Sequence, residues 1–212
     1  MRKQDMALRL FLSAHQIYQL EDRQNMQTIT NTSSRSLRNL YLTRTLFQFI
    51  WALAVISTAP SQPQFAAMLL IVYPLWDIAC TLYDFKTSDQ AGLARTSQIV
   101  NAGLGVAAAL GIAATVFNQS PYAIAIFGGW ALAAGLLQLR VGLGRRRQLG
   151  GQWAMILSGA QSSLAGIAFV FGGLSGKVHT QDVGGYAIFG AIYFLIGGIL
   201  LHRKLSQVAM GS

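Results

Sequence analysis

From residue 40 onward the chain is a succession of apolar runs, each near 20 residues long, separated by short polar segments. A helix needs about 20 apolar residues to cross the ~30 Å of hydrocarbon in a bilayer. The runs fall at 42–59, 64–83, 96–117, 121–141, 152–172 and 184–201, the first and the last being the shortest. "TAPSQP", "NQSP" and the Gly-rich "GGLSGKVHTQDVGG" interrupt them with helix breakers. The period-two alternation of barrel strands is absent. Composition agrees: 53% of residues are hydrophobic and only 11% charged, against about 25% charged in an average soluble domain. The expected fold is therefore all-α, a polytopic membrane protein with six transmembrane helices. Its 22 glycines fit helices whose backbones approach closely in lipid.

The net charge of +9 does not point to nucleic acid. The basic residues form no stripe with interleaved aromatics; they sit between the apolar runs. Of the 16 Lys and Arg residues, Lys177 alone falls on one side of the six-span scheme. The others lie in the N-terminal segment up to Arg44, in alternate loops, and after the last span. Basic loops face the cytoplasm, so both termini are expected there and the span count is even. "LRVGLGRRRQ" carries Arg140, Arg145, Arg146 and Arg147. These four read as a topology anchor that also attracts anionic lipid headgroups.

Three parts are expected: residues 1–38 on the cytoplasmic side, a membrane domain over 39–204, and a tail over 205–212. Residues 5–20 read either as an amphipathic helix on the membrane surface or as a loosely ordered tail. "QTITNTSSRS" reads as a linker. "MALRLFLSA" is too short, and broken by Arg9, for a signal-peptide core. The six spans form three successive hairpins whose second helices align loosely as "YPLWDIACTL", "FGGWALAAGL" and "FGAIYFLIGG". Such repetition implies similar hairpins around a common axis. Homo-oligomerisation is compatible with this build.

One stretch interrupts the apolar pattern. In "IVYPLWDIACTLYDF" Asp77 stands deep inside a span, roughly 10 Å from its cytoplasmic end at ~1.5 Å per residue. A carboxylate facing lipid costs several kcal/mol, so Asp77 should face the bundle interior. Tyr73, Asp77, Cys80 and Asp84 share its helix face. Candidate partners at similar depth are Arg44 and Gln48, one turn apart on the first span, and Asn101, Gln138 and Gln161 on later spans. Two readings of this group stand side by side: a proton or solute site, or an interhelical hydrogen-bond cluster that fixes packing. Pro74, one turn before Asp77, loosens the helix there.

Other features carry less chemistry. Ser158, Ser162 and Gly166 lie four apart in "SGAQSSLAG", and Ala131 and Gly135 do likewise, as in tight helix contacts. No histidine lies in a clear span to activate a serine. Trp76 and Trp130 read as core packing or as a ligand cage, and Trp153 as part of the interfacial belt. His179 and Asp182 form the titratable pair of the outer side. The glycines of "NAGLGVAAALG" follow no strand and give no dinucleotide signal. Cys80 is the single cysteine, so neither a disulfide within the chain nor a cysteine metal motif is available. No nucleophile–base pair, phosphate loop or cofactor motif appears, and an enzyme is not expected.

"YPLWDIACTLYDF", "FGGWALAAGLLQL" and "GQWAMILSGAQSSLAGIAF" together resemble the HdeD-like acid-resistance membrane proteins, a family of short repeated membrane hairpins. The resemblance covers roughly residues 40–200. It implies six spans, a bacterial inner membrane and a role in surviving acid, and it implies no catalytic residue. The leading expectation is a stress-associated membrane protein whose Asp77 responds to protonation. A small-solute or proton-coupled transporter or channel, and an assembly partner for other membrane proteins, are the alternatives.

Overall fold

A computed structural model describes residues 2–87, 92–118, 121–147 and 152–210; the side chains of residues 2–14, 21–31, 93, 121 and 208–210 lie outside the description. The described residues form six α-helices: α1 (Arg2–Thr58), α2 (Pro63–Thr87), α3 (Leu93–Val116), α4 (Pro121–Arg145), α5 (Gln152–Leu174) and α6 (Thr180–Met210). Each contains a stretch long and apolar enough to cross a membrane. Large apolar side chains face outward all round, Leu164 and Phe171 being 71% and 72% exposed. In water such an exterior would aggregate; in lipid it is the proper surface. The chain has the build of an integral, multi-pass membrane protein.

The breakers set the boundaries. Pro63 and Pro121 open α2 and α4, where a missing N–H costs nothing and φ is already helical. After α5, Gly176 adopts φ 67°. Its N–H bonds Gly173 O at 3.1 Å and the Lys177 N–H bonds Gly172 O at 2.8 Å. This pairing satisfies the last carbonyls and needs a left-handed residue, hence glycine. Asp182 then accepts the His179 backbone N–H at 2.8 Å, closing the first turn of α6 as an acidic cap.

Two boundaries depart from the sequence reading. The linker expected in "QTITNTSSRS" is helical, and α1 runs unbroken over 57 residues. Residues 1–59 contain neither Gly nor Pro, and Ser, Thr and Asn each weaken a helix by only about half a kcal/mol. Likewise α6 continues to Met210, so most of the expected 205–212 tail is helix. The apolar patch within 6–14 lies outside the described side chains.

Each helix packs on the next, and α6 returns to α1, so the six close into a ring. The most extensive contacts join α4 to α5 and α1 to α6, while α1/α2 is looser. The α4/α5 seam explains itself. Gly128, Gly135 and Gly142 face Gly159, Gly166 and Gly173, every one seven residues from the next. A Cβ on Gly135 would lie 2.7 Å from Gly159 O and from Ser163 N. The backbones therefore touch, as small residues permit in membranes, and the seven-residue period is that of a left-handed supercoil.

Inside the ring the side chains are layered. A larger apolar cluster fills the half away from the termini, with Leu70, Ile112, Phe127, Phe169 and Val183 among its members. A smaller one, including Leu37, Tyr41, Phe194 and Leu201, lies near the termini. Between them runs a belt of polar and charged groups.

Candidate functional site

Helix α2 sets the belt. Pro74 removes one backbone donor from its ladder, and in the preceding turn Trp51 on α1 donates its indole N–H to Leu69 O at 2.7 Å. One turn on, Asp77 faces inward. Arg44 on α1 donates Nη1–H to Asp77 Oδ1 at 2.9 Å. Asn101 on α3 donates Nδ2–H to Asp77 Oδ2 at 2.8 Å and to Thr81 Oγ1 at 2.9 Å. The two charged side chains are 13% and 15% exposed, and the Arg44 guanidinium also lies 5.5 Å from the centre of the Phe194 ring. Three helices thus converge on one carboxylate. Both charges are shielded from lipid by pairing, which is the condition for keeping them at this depth.

Two turns further along α2, Asp84 meets a second arginine. Arg145 on α4 donates Nη1–H to Asp84 Oδ2 at 3.0 Å and Nη2–H to Oδ1 at 3.4 Å. Gln98 on α3 donates Nε2–H to Asp84 Oδ2 at 2.6 Å. A cavity of about 60 Å³ lies between the two ion pairs, lined by Arg44, Asp77, Asp84, Gln98, Asn101 and Gln138 among others. At about 30 Å³ per molecule in the liquid, that is room for roughly two waters.

A second cavity, of about 30 Å³, lies on the other side of the Arg44–Asp77 pair. Gln48, Tyr73, Trp76, Trp130, Ser158 and Tyr186 contribute to its walls. Gln48 donates Nε2–H to the Tyr73 hydroxyl at 3.1 Å. Ser162 and Tyr186 share a hydroxyl hydrogen bond of 2.7 Å. The indole nitrogens of Trp76 and Trp130 are buried without a hydrogen-bond partner, as is Asn101 Oδ1. Buried polar atoms are nearly always satisfied, so these mark places where something small and polar belongs.

Beyond this cavity the aromatic rings close the path. Tyr73 packs against Trp51, Phe127 and Trp130, with ring centres 4.5, 5.7 and 6.0 Å away. Phe127 continues to Phe169 at 6.1 Å, and Phe169 to Tyr186 at 5.6 Å. At the end of the bundle opposite the termini opens a vestibule of about 680 Å³, bordered by Pro60, Pro63, Gly176 and His179.

Most of the residues expected at the site are brought together. Arg44 and Asn101 both donate to Asp77, and Gln48 and Tyr73 form the adjoining pair. Gln138 lines both cavities while donating its amide to Met155 O at 3.2 Å. Gln161 stands apart: it donates to Tyr186 O at 3.1 Å, binding α5 to α6, and lines neither cavity.

The arginine cluster divides. Arg140, Arg146 and Arg147 are exposed, but Arg145 is buried. Reading Arg145 as a headgroup anchor is corrected by its ion pair with Asp84, which faces the ring interior. The signal was in the spacing. Arg145 lies seven residues from Gln138, and Asp84 seven from Asp77, so each pair shares a helix face. Asp77 is accordingly not the only inward-facing acid of α2.

Compared with protein-family models, with curated proteins and with solved structures, the chain finds no match.

Proposed function

We propose that this protein is a proton-responsive membrane protein whose working element is the Arg44–Asp77–Asn101 cluster. The observation that carries the reading is the placement of one ion pair between two water-sized cavities, with unpartnered polar atoms around it. A proton reaching Asp77 removes the charge that Arg44 and Asn101 hold. The helices α1, α2 and α3 then lose the link that draws them together at this level. With the termini in the cytoplasm, as the distribution of basic residues favours, the larger cavity opens toward that side. A bacterial inner membrane and survival in acid, which the resemblance to HdeD-like proteins implies, belong to this same proposal.

Cavity size supports protons over larger cargo in this reading. Spaces of about 60 and 30 Å³ hold one or two waters each, too little for an organic solute. The second reading, transport of a small solute, is favoured by the vestibule of about 680 Å³ and requires the aromatic layer to part.

The test is the unfolding stability of the full-length protein in detergent from pH 4 to pH 8, for the wild type and Asp77→Asn, with acid survival of the host alongside. The wild type should show a step in stability with pH that the variant lacks, and the variant should alter survival. Superimposable pH profiles together with unchanged survival would end the proposal.

A further inference from the structure

Trp51, Gln48 and Arg44 carry hydrogen bonds from α1 to α2. From Arg44 toward the termini the seam between these two helices holds a groove of about 220 Å³. Leu40 and Cys80, both buried, form its floor. Asn39 and Thr43 on α1, with Ala79 and Tyr83 on α2, are its exposed margins. Trp76 closes the deep end and is a wall common to the groove and the smaller inner cavity. The groove therefore opens outward, onto the surface that lipid covers. An acyl chain suits it, because an empty groove would leave its walls without contacts. A methylene takes up about as much room as a water molecule, ~30 Å³, so the groove seats roughly seven chain carbons. A chain alone would make this an ordinary patch of lipid contact.

Charge at the mouth singles out one kind of lipid. Helices α1 and α2 run antiparallel, and the Arg44–Asp77 pair sets them level. Nine residues from this pair toward the termini stand Arg35 on α1 and Lys86 on α2, about 13 Å away along each helix. Arg35 lies four residues from Asn39, and Lys86 three from Tyr83, so each cation continues the strip that walls the groove. Both are exposed, and among the described residues neither joins an ion pair. The acids of α2 do not oppose them, since Asp77 and Asp84 face inward and are matched by Arg44 and Arg145. Arg38 adds positive charge at the α1 margin, where its Nη2–H donates to Asn39 Oδ1 at 2.8 Å.

We propose that the α1/α2 groove retains one anionic phospholipid, its acyl chain between the helices and its headgroup phosphate held by Arg35 and Lys86. Basic positions between membrane helices suit such headgroups. With the termini in the cytoplasm, as the distribution of basic residues favours, the site faces the leaflet in which anionic lipids concentrate. The proposal goes beyond the proton-responsive reading of Asp77 and does not depend on it.

Native mass spectrometry of the full-length protein in detergent, with phosphatidylglycerol or phosphatidylcholine added, tests this. One phosphatidylglycerol per chain should be retained under conditions that strip phosphatidylcholine. Arg35→Gln and Lys86→Gln should each weaken phosphatidylglycerol binding about fivefold, the scale of one basic residue beside an anionic headgroup, and together about 25-fold. Ala79→Trp fills the groove from its margin and leaves both cations in place; it should abolish retention, and Ala79→Phe serves should that variant fail to fold. Arg146→Gln and Arg147→Gln, outside the groove, should change nothing. Equal retention of the two lipids, or equal losses in the Arg146 and Arg147 variants, would reduce the effect to general charge attraction. Binding that survives filling of the groove would place the lipid elsewhere. A dimer free of lipid would give the groove to a second copy of the chain. Each of these outcomes overturns the proposal, and none bears on the pH step assigned to Asp77.

Discussion

The two ion pairs on α2 use the same residue types and differ in how they are held. Asp84 is gripped by both terminal nitrogens of Arg145, at 3.0 and 3.4 Å, and by Gln98 at 2.6 Å. The Arg145 side chain is only 4% exposed. Asp77 receives one nitrogen of Arg44 and one of Asn101, and a cavity lies on either side of it. A forked pair whose guanidinium is almost wholly enclosed resists change because geometry and desolvation act together. A single-pronged pair beside water-sized space can lose a proton's worth of charge and find other partners. The first is a fastening near the terminal end of the bundle; in the function proposed above, the second is the element that switches.

The largest effect that could break this comparison is in the fastening. Arg145→Ala leaves the Asp84 carboxylate buried and uncompensated, and such losses cost about 3–5 kcal/mol. The variant should unfold at markedly lower denaturant in detergent, and adding Asp84→Asn should return most of the lost stability. Arg44→Ala should cost less, about 2 kcal/mol, since Asp77 keeps the Asn101 donor and can be solvated from its cavities. Equal losses at the two sites would show that the cavities offer Asp77 no relief and that the distinction is false.

How far the sequence reveals these pairs depends on the reach of each signal. The spans were legible because hydrocarbon thickness imposes a length on every helix, and Pro63, Pro121 and Gly176 mark ends by local chemistry alone. Asp77 was legible because a charge in a 20-residue apolar run has a large cost that only the interior can offset. Arg44 and Asn101 followed from depth. Arg145 was not recognised as an interior residue, because its neighbours Arg146 and Arg147 belong to the surface and charge counting treats all three alike. Only the rotation of the helix, 100° per residue, turns one of them inward. Gln161 shows the opposite failure: depth placed it level with the cluster, but rotation about α5 points it to α6. The unbroken α1 was missed because a run of Ser and Thr resembles a linker in composition, whereas a helix is ended by breakers and residues 24–58 contain none.

The smallest effect separates the two amides that serve the pairs. Gln98 bonds Asp84, and Asn101 bonds both Asp77 and Thr81. Interhelical hydrogen bonds in membranes contribute about 0.6 kcal/mol on average and up to about 1.7. Gln98→Leu should lie toward the upper end, because it withdraws a short bond of 2.6 Å from a carboxylate that borders only the larger cavity, where Asp77 borders both. Asn101→Leu should lose less stability at neutral pH, as water from the larger cavity can take up the freed Asp77 oxygen. A loss from Asn101→Leu larger than that from Gln98→Leu would show that the cavities offer Asp77 no relief, and the two pairs would have to exchange their parts.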